Sequence, residues 1–320
     1  MENDMQRFKN ILVVLDPGAQ QQPALERAAD LARLYGARLH VFVVLEDLPL
    51  ELKTLLSAPH TGELRERVEQ QQRGRVEALL APLRERGIDL HLDIQWHRVA
   101  FLVIIREVLR QGHDLIIKTT GGATETGMML FNPTERHLMR KCPCPVWMVK
   151  PESHLDSHPA YKRILVAVDP LPDELANQTF NARILQLAAS IAAEDEAELH
   201  IVHSHQEYDA IALEHLGVEL EDINERSLML RRQGMERLLA KLSLAKNRCH
   251  LVLGSPEEAI PKFATREGID LIVMGTVART GIPGLLIGNT AEKILDSVEC
   301  DVLSIKPEGF VTPVTLTHSE

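Results

Sequence analysis

The sequence predicts two tandem, open, parallel-sheet α/β domains, and three observations carry that prediction. Short apolar runs alternate with helical patterns along the whole chain. Several of the runs are continuously apolar, as expected for parallel strands covered on both faces. The pattern also repeats. Asn10-ILVVLD returns as Arg163-ILVAVD, and Arg38-LHVFVV as Glu198-LHIVHS. Asp114-LIIK returns as Asp270-LIVM, and Cys144-PVWMVKP as Cys300-DVLSIKP. The offsets are 153, 160, 156 and 156 residues, in one order, which marks a duplication with small insertions. The expected domains are residues 1–151 and 152–320, joined by a polar segment over 152–159.

In the first half, residues 11–15 read as a buried strand and 23–35 as an amphipathic helix with Leu25, Ala28, Ala29, Leu31 and Ala32 inward. A strand over 39–45 precedes a loop with Pro59, His60 and Gly62, then a long helix over 63–86. Strand 90–96, helix 101–110, strand 115–118, helix 134–140 and strand 146–149 complete the repeat. The second half repeats the order: strand 164–168, helix 181–193, strand 199–203, helix 222–242, strand 250–253, helix 256–266 and strand 271–274. It closes with a helix from about 290, carrying Ala291, Ile294, Leu295 and Val298, and a strand over 302–305. Residues 308–320 hold two strand-like pieces or a disordered end.

Composition narrows the function classes. A length of 320 residues suits two domains, and 45% hydrophobic with 25% charged residues describes a globular chain. The net charge of −11 argues against a nucleic-acid partner, which would ask for a basic surface. No apolar run approaches the roughly 20 residues of a membrane span. The polar N-terminal residues run directly into a strand, so the expected location is cytoplasmic. Four cysteines are too few for a disulfide framework, and Cys144 and Cys300 hold matching places before a final strand, where a small apolar residue packs. None of the 14 histidines shows metal-ligand spacing, although His203 and His205 share a strand face. No catalytic triad or nucleophile elbow stands out.

The most telling stretch is DLIVMGTVARTGIPGLLIGNTAEKILDSVECDVLSIKP, beginning at Asp270. It reads as strand, glycine-containing loop, helix and strand. A loop at the carboxyl end of a parallel strand brings backbone N–H groups and a helix N-terminus to a place where an anion can sit. The stretch resembles the universal stress protein family, tandem two-domain type, and the likeness extends over nearly the whole chain. Nucleotide-binding members of that family carry Gly-x2-Gly-x9-Gly-Ser/Thr in this loop. Gly275 and Gly288 match the first and last glycines; Ala278 replaces the middle one, and Asn289 replaces the Ser/Thr. In the first half the same positions are Thr119, Gly122, Asn132 and Pro133, so only one of three glycines remains. Pro133 has no N–H to offer a phosphate. Asn132, Pro133 and Glu135 read instead as N-cap, first-turn proline and N3 acid, so no ATP site is expected there.

The resemblance implies Rossmann-like domains that form an intramolecular pseudo-dimer through their last strands, with a homodimer of whole chains as an open alternative. It implies a stress-response role, a small-molecule ligand and no defined catalytic residues. The cofactor is open, with ATP or another nucleotide expected in the second domain. The site residues it points to are Asp169, Gly275, Ala278, Arg279, Gly288, Asn289 and Thr290. Asp169 and Asp16 each end a first strand, either beside an adenine or capping the local turn. Asn289 either donates to a phosphate or caps its own helix with Glu292. Arg279 either pairs with a phosphate or is solvated. Ile282, Leu285, Leu286 and Ile287, with Met128, Met129, Leu130 and Phe131 in the other loop, either pack under an interface or line an apolar pocket. The readings left standing are a ligand-sensing stress protein, a slow ATPase, and an interaction scaffold using these apolar loops.

Overall fold

Continuous apolar runs flanked by amphipathic helices leave little choice but a covered parallel sheet, and each repeat builds one. The computed structural model describes residues 8–19, 21–46, 58–121, 132–151, 160–171, 175–208, 220–240, 248–276 and 289–316. Gly122, Ala278, Arg279, Gly281, Gly288 and the apolar loop residues named above lie outside this set.

The first repeat runs β1 (Asn10–Leu15), α1 (Pro23–Tyr35), β2 (Arg38–Glu46), α2 (Ala58–Glu85), β3 (Leu90–His97), α3 (Ala100–Gln111), β4 (Leu115–Thr119), α4 (Pro133–Lys141) and β5 (Val146–Val149). The second runs β6 (Arg163–Ala167), α5 (Leu175–Glu194), β7 (Glu198–His205), α6 (Leu220–Leu239), β8 (Cys249–Leu253), α7 (Pro256–Glu267), β9 (Leu271–Gly275), α8 (Asn289–Ser297) and β10 (Asp301–Ile305). Pairing is parallel, with strand order β3-β2-β1-β4-β5 in the first repeat. The order in the second is β8-β7-β6-β9-β10. In each case the chain changes direction across the sheet beside the first strand, between β1 and β4 and between β6 and β9. Ligands of open α/β sheets bind outside the carboxyl ends of the strands at such a point.

Local chemistry explains the elements. β1 is buried from Ile11 to Leu15, and the small residues Ala24, Ala28, Ala29 and Ala32 let α1 lie close upon it. Gly112 and Gly268 each end a helix at φ 67° and 61°, a left-handed conformation that glycine takes without Cβ strain. Their offset of 156 is that of the flanking strands, so the repeat holds at the level of the caps. α1 matches the sequence reading at both ends. α5 does not: it begins at Leu175, six residues ahead of the expected start at 181. Its apolar face begins clearly only at Ile184 and Leu185, so Phe180 and Asn181 belong to a helix whose first turns carry little periodic signal.

Two compact units account for the described residues. One holds residues 8–151 with 311–316, the other residues 160–310. The last segment forms no strand. Val314 is buried, and Arg106 of α3 donates from Nε to the Thr315 carbonyl at 3.1 Å. The three cysteines beside the final strands, Cys142, Cys144 and Cys300, are buried thiols. The hydrogen bond with the adjacent Cys142 thiol, together with burial, pushes Cys144 well above the usual thiol range, so it is protonated and packs as an apolar residue.

Candidate functional site

At the switch point of the second domain, β6 leads into Val168 and Asp169 while β9 ends on Gly275. Oδ1 of Asp169 accepts the N–H of Leu171 at 3.2 Å, the turn-capping arrangement. Its backbone carbonyl accepts from Nδ2 of Asn181 at 2.5 Å, which ties α5 to the end of β6. Gly275 faces the same helix. A Cβ built there would lie 2.5 Å from Cε1 and 2.8 Å from Cζ of Phe180, and 3.4 Å from Cδ1 of Ile184. The bare Cα at 275 therefore serves helix-on-strand packing. Asn289 opens α8 as its first helical residue, with Thr290 next.

The next strand supplies a residue whose role sequence spacing did not reveal. His203 on β7 is buried, and its Nδ1 lies 3.1 Å from the Val168 carbonyl. A carbonyl only accepts, so Nδ1 carries the proton and Nε2 carries the lone pair. Burial lowers the His203 pKa to about 4, with Arg231 of α6 and His205 adding to the shift, so the ring is neutral near pH 7. Nε2 is shielded from solvent and has no hydrogen-bond partner among the described residues. Near it are the half-buried Arg231 and the loop after β6, where Gly234 of α6 packs against Pro170. A neutral acceptor, a nearby guanidinium and the Asp169 turn thus meet at the carboxyl end of the sheet.

Corresponding places in the first domain are closed from within. Val43, buried on β2, stands where His203 stands on β7. Thr119 replaces Gly275, and its Oγ1 accepts the Ala24 N–H at the start of α1 at 3.2 Å. Asn132 and Glu135 form the expected capping box, with Pro133 at the first helical position. Glu135 is wholly buried and also accepts from Lys118 Nζ at 2.9 Å and from the Gly121 N–H at 2.8 Å. The Lys118 ammonium and the Gly121 N–H are thus both taken up by the Glu135 carboxylate.

A match to the universal stress protein family covers residues 7–150 and 160–306, one copy on each repeat. The chain belongs to the universal stress protein family. It is similar to Universal stress protein E of Escherichia coli strain K12, at 33% identity over 99% of this chain and 99% of that protein. Universal stress protein E of Photorhabdus laumondii is 32% identical over 97% of this chain and 98% of its own length. A solved structure from Pseudomonas aeruginosa PAO1, described as a functionally unknown protein, aligns at TM-score 0.73 and 29% identity, covering 97% of this chain and 96% of that one. The chain is thus a tandem universal stress protein with two unequal domains. Among the described residues no helix is long and apolar enough to cross a membrane.

Proposed function

We propose that this tandem universal stress protein is a cytoplasmic sensor of a nucleotide-like ligand, which it binds in the second domain without chemical turnover. The ligand lies outside the carboxyl ends of β6, β7 and β9. Asp169, His203 and the loop from Gly275 through Ala278, Arg279 and Gly288 to Asn289 and Thr290 surround it. The first domain holds no ligand in the matching place and supports the fold. The observation that carries this reading is the buried Nε2 lone pair of His203 at the switch point of the sheet, which has no donor among the described residues. A buried acceptor left without a donor costs about 1–3 kcal/mol, and an amino or hydroxyl group of a nucleotide supplies one. Arg231 suits the phosphate end.

The test is a titration of the full chain with ATP, ADP and a nucleotide sugar, after native mass spectrometry of the fresh protein for a co-purified nucleotide. Saturable binding that Asp169→Ala, His203→Val and Gly288→Val each weaken, in proteins that still unfold cooperatively, supports the proposal. Binding by none of these compounds removes it.

A further inference from the structure

We propose that His40, Glu107 and His113 of the first domain form a binding site for one divalent transition cation, zinc foremost. The three residues come from β2, the second half of α3 and the turn before β4, and all are buried. One ligand atom from each lies within 4.8 Å of the other two. Nδ1 of His40 is 3.2 Å from Nε2 of His113 and 3.7 Å from Oε1 of Glu107. A tetrahedral zinc with bonds of about 2.0–2.1 Å has ligand–ligand edges of about 3.3 Å, so the two imidazoles are already at that spacing. A modest approach of the carboxylate completes a three-ligand set, leaving the fourth position to water.

The surroundings orient these donors. Nδ1 of His113 donates to the Asn10 carbonyl at 3.3 Å, which leaves Nε2 as the lone-pair atom facing His40. Oε2 of Glu107 lies 3.9 Å from the Arg110 guanidinium, leaving Oε1 toward His40. Nε2 of His40 is buried with no partner among the described residues. With the proton on Nδ1, His40 donates to His113 and its Nε2 is an unpartnered acceptor; with the proton on Nε2, that nitrogen is an unpartnered donor, so Nε2 does not choose between the two forms. If the proton sat on Nε2, two lone pairs would face each other across 3.2 Å, an arrangement that a cation between them makes favourable. Imidazole with carboxylate is a donor set that zinc accepts readily.

The second domain offers an internal control. His200 and His250 approach to 3.1 Å, but Phe263 and Ile269 stand where Glu107 and His113 stand in the first repeat. No third ligand converges there among the described residues.

The experiment uses the full chain stripped with chelator, titrated with zinc against a chromophoric competitor and with cobalt followed by its visible absorption. One equivalent should bind, with the intense cobalt bands of a tetrahedral site. His40→Gln and His113→Gln should each weaken zinc by at least about 100-fold, and His200→Gln should leave it unchanged. Zinc should raise the melting temperature of the wild type and of His200→Gln, but not of His40→Gln. No binding to the wild type overturns the proposal, as does one equivalent whose affinity survives both first-domain substitutions. Should either variant fail to melt cooperatively, imidazole resonances of the wild type decide: zinc must shift His40 and His113, and shifts confined to other histidines overturn the assignment.

Discussion

Lys118 and Glu135 form an ion pair of 2.9 Å in which the carboxylate is wholly buried. The pair holds the end of β4 to the start of α4, across the place where a nucleotide loop would open in the first domain. Removing one partner strands the other charge, which costs about 3–5 kcal/mol. Met274 and Ala291 stand at the matching positions of the second repeat, so an apolar solution exists in the same fold. Glu135→Ala should therefore be strongly destabilised in denaturant unfolding, whereas Lys118→Met combined with Glu135→Ala should recover part of the loss. Purely additive losses would contradict the charge argument.

Two glycines at one repeat position should respond with opposite signs. Gly74 in α2 has nothing within 4 Å of an added Cβ, so Gly74→Ala should stabilise by roughly 1 kcal/mol through helix propensity. Gly234 in α6 lies against Pro170, whose Cβ is 2.9 Å and whose carbonyl carbon is 3.0 Å from an added Cβ. Gly234→Ala should destabilise by about 2 kcal/mol. Urea midpoints of the two variants check the pair, and equal signs would count against the described packing of α6.

Gly275 separates packing from binding. Gly275→Ala should cost about 1–3 kcal/mol by overpacking Phe180. Phe180→Leu introduced beside it should return part of that stability, read by the same unfolding curves. If Gly275→Ala keeps full stability, the contact with Phe180 is not what requires glycine there.

His203 predicts a pH dependence. Its folded pKa near 4 is below the unfolded value of about 6.5, so the folded chain binds fewer protons between those limits. Its contribution is complete above about pH 6.5 and is lost progressively as pH falls toward 4, by at most about 3 kcal/mol. Arg231 and His205 face the ring and both oppose its protonation; the Val168 carbonyl favours it but is outweighed by burial. The unfolding free energy of His203→Val should therefore fall less steeply than wild type between pH 7 and 4. Parallel profiles would mean that His203 is not held neutral by burial.

The repeat made the architecture legible. The continuous strands 11–15 and 271–274, the cap at Asn132 and Pro133, and the buried cysteines all follow from local composition and register. The site was less legible because its members act across the sheet. Phe180 lies in helical turns with weak periodicity, and Arg231 sits on a helix where an arginine reads as solvated. His40 and His113 are 73 residues apart, and only the placement of β2 and β4 on either side of β1 brings them together. His203 and His205 share a strand in sequence, but the hydrogen bond to Val168 that sets the tautomer of His203 comes from β-sheet register.

The most direct measurement is a calorimetric titration of ATP into the full chain and into His203→Val, at one pH near 7. Saturable binding at one site in the micromolar range, weakened tenfold or more in the variant while cooperative unfolding persists, is the predicted result. Binding that is indifferent to His203→Val, or no binding by the wild type of ATP, ADP or a nucleotide sugar, would contradict the assignment of the second domain as the ligand site.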